Sequence, residues 1–211
     1  MSEFTNKWSK SQRSTAADRI REAFQPSGPI KPKLEWARRQ LQVEIQKMDA
    51  IIARLKKKDE DIFKRSVTAM QKHETQLAAA LSNELAEVRK MSKLVNQAKL
   101  ALEQIALRLT TVEDLGDVAV VLAPAGSIIR SIKSGLAGVM PEAESELGEI
   151  NGMLSNILVE VGQLGGLTLN FEAANEEAEK ILAEASTVAE QRMKQNFPDL
   201  PSPEAEEKTT Q

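Results

Sequence analysis

The chain has 211 residues, 41% of them hydrophobic and 28% charged, with two Trp, five Phe, no Tyr, no Cys and a single His. So few large anchors argue against a compact globule with a deep core, and the absent thiols exclude disulfides and thiolate metal sites, as one imidazole excludes a histidine relay. Residues 1–112 carry 22 Lys and Arg against 13 Asp and Glu, a net of +9, while residues 113–211 carry 6 against 18, a net of −12. Such a dipolar molecule offers its basic half to anionic surfaces and holds a competitor for it in the same chain.

Residues 1–32 read as a flexible or amphipathic segment, closed by the breakers Pro26, Gly28, Pro29 and Pro32. Phe4 and Trp8, with Lys7 between them, fall on one side if it is helical, suited to a membrane interface where Trp prefers to sit; disorder until binding fits equally well. Neither Gly nor Pro occurs from Lys33 through Leu115, 83 residues rich in Ala, Leu, Glu, Gln, Lys and Arg, which is a helix signature.

The apolar stripe Leu41, Ile45, Met48, Ile52, Leu55, Ile62, Phe63, Val67, Met70 advances by threes and fours, with a polar break at Asp59. A second stripe runs Leu77, Leu81, Val88, Met91, Val95, Ala98, Leu102, Ile105, Leu109, Val112, with Glu84 as its polar seam position. Equal arms bury more of each other, so residues 33–112 read as a basic helical hairpin with its tip near 71–76, at His73, and Lys56–Asp61 as a solvated helix turn. His73 reads as an exposed turn residue, since a general base needs an orienting partner and a pocket.

Residues 113–161 read as short mobile helices. The first, Val112–Val139, is interrupted at Pro124, where a lost backbone bond predicts a kink or a split. Its apolar run Val118 to Ile129 is about 12 residues, short of the roughly 20 that span a bilayer. With no secretory apolar region at the start, a soluble or peripheral intracellular protein is expected. Pro141 with Glu142, Glu144 and Glu146 opens the next helix, and Gly148 with Gly152 marks a close helix contact or a flexible joint. Residues 162–169 read as a Gly linker. Asn170 is placed to cap an acidic helix over 170–195 with Phe171, Ile181, Leu182, Ala185 and Val188 on its apolar side, and 196–211 is a Pro-rich tail.

The basic flank Arg54, Lys57, Lys58, Lys64, Arg65 and Lys72 reads either as an ordinary solvated face or as a surface for anionic headgroups. Specific nucleic-acid binding is not expected, because no side-chain grouping suits base readout. Neither a cofactor nor catalytic chemistry is indicated, for there is no phosphate-binding glycine loop. The acidic helix 170–195 reads as a flap docking reversibly on the basic hairpin or as a permanently packed bundle member.

Leu102-Glu103-Gln104, Val112 through Val118, Leu122-Ala123-Pro124-Ala125, Ala143 through Leu154 and Ala183-Glu184-Ala185 together resemble archaeal ESCRT-III proteins of the CdvB cell-division family, from about Pro32 to Leu200. The resemblance implies an all-α fold, a long antiparallel hairpin followed by shorter helices. It also implies polymerisation with itself and with paralogous ESCRT-III subunits into membrane-associated filaments for constriction and scission, in division or vesicle budding. It further implies a peripheral location at the inner membrane face of the division site and disassembly by an AAA ATPase. The MIT domain of that ATPase would grip Phe197, Pro198, Leu200 and Pro201, and helix 170–195 would be autoinhibitory. A phage-shock-type membrane-stress coat and a soluble coiled-coil scaffold are the other classes open to a basic helical hairpin.

Overall fold

A computed structural model describes residues 30–112, 115–165 and 170–198. Among these the architecture is all-α and ESCRT-III-like: α1 Ile30–Gln71, α2 Thr75–Thr110, α3 Leu115–Leu136, α4 Pro141–Gly165 and α5 Phe171–Asn196. The first two helices form the hairpin, with lengths of 42 and 36 residues, or about 63 and 54 Å at 1.5 Å per residue. Pro32 lies in the first turn of α1, where its missing N–H costs no helical bond.

The buried positions of α1 are Ile30, Leu34, Ala37, Leu41, Ile45, Met48, Asp59, Ile62, Ser66 and Ala69, with Glu44 beside Ile45. Half-buried Ile52 and Leu55 bridge the gap, so one heptad register runs through the whole helix. Asp59 therefore belongs to the seam: it is 2% exposed, which corrects the reading of Lys56–Asp61 as a wholly solvated turn. The lysines there do face water. On α2 the seam is Ala78, Leu81, Leu85, Val88, Ser92, Val95, Ala98, Leu102, Ile105 and Leu109. Leu85 takes the place expected of Glu84, which is exposed, and Leu77 is 47% exposed. Small Ala78 at the seam lets the two helices approach near the tip.

The reversal needs no glycine, because backbone bonds close it. His73 N–H donates to Met70 O at 3.0 Å and Glu74 N–H to Ala69 O at 2.9 Å, the paired bonds of a Schellman ending. His73 occupies the left-handed position at φ 56°.

Beyond the hairpin, α3 packs on α2 and on α4, α4 also lies against α1, and α5 lies against α2 and α3. Pro124 sits inside a continuous α3 and does not split it, because packing on both neighbours holds the helix across the missing bond. By length and composition Gly116–Leu136 is apolar enough to cross a membrane. Small residues divide this stretch, so its longest apolar run is short while its average remains apolar. Here Val118, Leu122, Ala125, Ile128, Ile129, Ile132 and Leu136 are buried in the shared core, so α3 is the apolar centre of the bundle. Gly148, Gly152 and Gly162 all lie inside α4. A Cβ at Gly152 would meet nothing within 4 Å, so neither the close contact nor the joint expected there is present in the continuous helix, and the helix runs on through Gly162, where a linker was expected to begin, to Gly165. Asn170 caps α5, its side-chain oxygen accepting from Glu172 N–H and Ala173 N–H at 3.1 Å.

Among the described residues the buried apolar side chains form two separate clusters. The larger joins the base of the hairpin to α3, α4 and α5. The smaller consists of Ile62, Ala69, Ala78, Leu81, Leu85 and Val88 near the tip, where the hairpin is a bare two-helix seam.

Candidate functional site

The acidic and basic halves meet across a set of ion pairs. Lys33 pairs with Glu160 at 2.6 Å, Lys47 with Glu146, Lys93 with Glu190 and Arg108 with Glu177. In each, the cation comes from the hairpin and the carboxylate from α4 or α5. Hydrogen bonds from Lys93 and Arg108 hold the Glu190 and Glu177 carboxyls below their ordinary range. All four pairs are partly exposed and individually weak, so they orient the later helices on the hairpin while apolar burial holds them there.

That burial on α5 comes from Ala174, Ala178, Ile181, Ala185 and Ala189, with Leu182 half-buried beside them. Val188 does not join the face: it is 37% exposed, and Ala189 takes its position. The face is thus built mostly of alanine, each removing little apolar surface from water, which makes α5 a lightly held element. The Phe171 side chain lies outside the described residues.

The end of α5 is held by a contact that the sequence reading missed. Buried Asp59 on α1 accepts from Arg89 Nε on α2 at 2.7 Å. The same guanidinium donates through Nη2 to the carbonyl of Pro198 at 2.8 Å and lies 5.6 Å from the ring centre of Phe197, within reach of a cation–π contact. Phe197 is buried. One arginine therefore neutralises a carboxylate in the hairpin seam and also holds Phe197 and Pro198 of the tail. The available signal was the heptad register, which puts Asp59 seven residues before Ser66 in a seam position and so demands a cation opposite. Leu200 and Pro201 lie outside the described residues.

The cationic flank of α1 is exposed at Arg54, Lys57, Lys58, Lys64, Arg65 and Lys72. Lys57 with Lys64, and Lys58 with Arg65 and Lys72, recur every seven residues, which gathers them on one side, Lys72 just past the helix end, over about 27 Å. Lys58 is engaged by Glu84 at 3.0 Å and Arg65 loosely by Asp61 at 3.8 Å; the other four make no ion pair among the described residues. Near the tip, Lys64, Arg65, Lys72, Glu74, Leu77 and Leu81 border a shallow groove of about 270 Å³, where exposed Leu77 puts an apolar group among three cations and one carboxylate. Phe4, Lys7 and Trp8 lie outside the described residues. His73 is exposed in the turn, and among the described residues no three His, Asp or Glu side chains are gathered to hold a metal ion.

Compared with known proteins, the chain is 40% identical over 174 residues to Cell division protein B1 of Sulfolobus acidocaldarius, an overlap of 82% of this chain and 81% of that protein. The chain belongs to the CdvB family. Cell division protein B of the same organism is 32% identical over 160 residues, covering 76% of this chain and 61% of that relative. No family model matches the chain, and no solved structure matches it.

Proposed function

We propose that this CdvB-family chain is an ESCRT-III-like subunit acting in archaeal cell division, where it polymerises into membrane-associated filaments that constrict and sever a membrane neck. The observation that carries this reading is the 40% identity to a cell division protein over most of both chains. It weighs against the stress-coat and scaffold classes. The partners in this reading are further copies of the chain, paralogous subunits, an anionic membrane surface and an AAA ATPase. The place of action is cytoplasmic, peripheral at the inner face of the membrane and at the division site, and no catalysis or cofactor is required.

The described conformation corresponds to a closed monomer. α5 covers α2 and α3 through Ile181, Leu182 and Ala185, and Arg89 secures its end. Release of α5 frees α3 and α4 to straighten and reach neighbouring subunits, where many weak lateral contacts add along a polymer. The flank Arg54, Lys57, Lys58, Lys64, Arg65 and Lys72 then lies on anionic lipid, helped by Phe4, Lys7 and Trp8. Phe197, Pro198, Leu200 and Pro201 bind the MIT domain of the ATPase as a proline-stiffened strand.

Electron microscopy with and without anionic liposomes tests the reading. Deletion of residues 171–211 promotes filaments; a truncated chain that stays monomeric on liposomes removes the autoinhibitory role. The triple change Lys64→Glu, Arg65→Glu, Lys72→Glu lowers liposome affinity by about a hundredfold or more, at about 1 kcal/mol per surface cation. Unchanged flotation would move the membrane contact elsewhere.

A further inference from the structure

The seam between α1 and α4 contains a group that the closed-to-open reading does not use. Glu44 is 2% exposed, in line with Leu41, Ile45 and Met48 on a face otherwise apolar. Its Oε1 accepts from Lys47 at 2.9 Å, while its Oε2 is buried without a protein donor. Lys47 also bridges to Glu146 of α4, so both carboxyls meet on one ammonium. Two carboxylates and one ammonium therefore share a joint in which Glu44 is enclosed while Lys47 and Glu146 stay partly exposed. A buried acceptor without a donor is costly. A proton on Glu44 turns that oxygen into a donor toward Glu146 and removes the repulsion between like charges.

We propose that Glu44 and Glu146 hold one proton between them, so that the seating of α4 on α1 is a proton-stabilised joint that weakens as pH rises through neutrality.

Other charges around this joint are already committed. On α4, Glu149 is exposed; the antiparallel pairs Lys33–Glu160 and Lys47–Glu146 bring it to the level of Glu44, where it adds negative charge. On α2, Lys99 pairs with Glu103 and with Asp49 of α1. On α3, Lys133 pairs with Glu144 at 3.5 Å. None of these cations replaces the shared proton.

Burial first, and then the bond that protonated Glu44 donates to Glu146, push Glu44 from 4.5 up to about 7, against the opposing pull of Lys47. The seated state thus binds more protons than the separated one between about pH 4.5 and 7, and seating is lost as pH climbs through that window. Glu146 is held below its ordinary range by its hydrogen bonds to Glu44 and Lys47. Its contribution runs the other way and is lost only below about pH 4.5. Lys47 is raised by the same partners and stays charged throughout. Seating is therefore strongest in mildly acidic solution.

The test uses the full chain. Carboxyl carbon NMR, assigned by comparison with Glu44→Gln, follows the Glu44 titration directly. Hydrogen exchange, corrected for intrinsic rates, follows the opening of α4. Glu44 is expected to titrate near neutrality, and α4 protection should fall about thirtyfold from pH 5.5 to 8.5. In Glu44→Gln, which keeps the shape and a permanent donor, the pH slope is abolished. Glu146→Gln alters a partly exposed residue that folding tolerates, and it moves the Glu44 midpoint down by removing the neighbouring negative charge. Titration of Glu44 at its ordinary value, or an α4 pH slope equal in wild type and Glu44→Gln, overturns the proposal.

Discussion

The tip and the base of the hairpin share one heptad register and behave as different materials. At the base, α1 and α2 are covered by α3, α4 and α5, and full-size side chains such as Leu41, Met48, Leu102 and Ile105 are wholly enclosed. Toward the tip the same two helices face water on all sides but one. Their seam there is thinned by Ala69, Ala78 and Ser66, whose hydroxyl lies 3.4 Å from that of Ser82. The base carries the later helices packed on it, whereas the tip has only its own surface to offer. A two-helix seam buries little because each helix has one partner, and this leaves the cationic flank uncovered. Asp59 and Arg89 sit where the two regimes meet.

Truncating the same side chain in each region sharpens the contrast. Leu102→Ala in the base should cost about 4 kcal/mol, because a core enclosed by several helices cannot collapse into the void. Leu85→Ala in the tip should cost about 2 kcal/mol, since two helices can close together. Denaturant midpoints at constant slope measure both; equal losses would mean that the tip is as constrained as the base.

At the boundary, Arg89→Ala leaves Asp59 buried and unpaired, a loss of about 3 kcal/mol, and it releases Phe197 and Pro198. Limited proteolysis should then cut near Phe197 faster than in the parent chain. The double change Asp59→Leu, Arg89→Leu recovers most of the stability while the tail stays released. A tail that remains protected in that double variant would show that Phe197 is held without Arg89.

The smallest effect lies at the tip itself. His73→Gly removes a side chain from a left-handed position and should stabilise the hairpin by about 0.5–1 kcal/mol. A loss instead would assign the imidazole a contact of its own.

Much of this organisation was legible in the chain. The breaker-free stretch and its three-four spacing located the hairpin, and Asn170 and Pro141 marked helix starts through backbone chemistry that acts within one turn. Legibility failed where a residue's role depended on a partner distant in sequence. Asp59 read as a break in a stripe because its cation lies 30 residues away on α2. Val188 and Ala189 are equally plausible neighbours on a helix until a packing face chooses between them, and Leu77 lost its seam position to Ala78 for the same reason. Glu44 sat unnoticed in an apolar register because nothing nearby in the chain announces Glu146.

Local preference and charge placement, both additive along a chain, set the helical content, the reversal of direction and the sorting of basic from acidic residues between the two halves. Tertiary packing decided which polar residues were driven out of water, that one arginine serves both the seam and the tail, and that two glutamates from separate helices meet on one lysine. Those outcomes depend on distances between separate helices, and the cost of burying a charge exists only once a second surface has excluded the solvent.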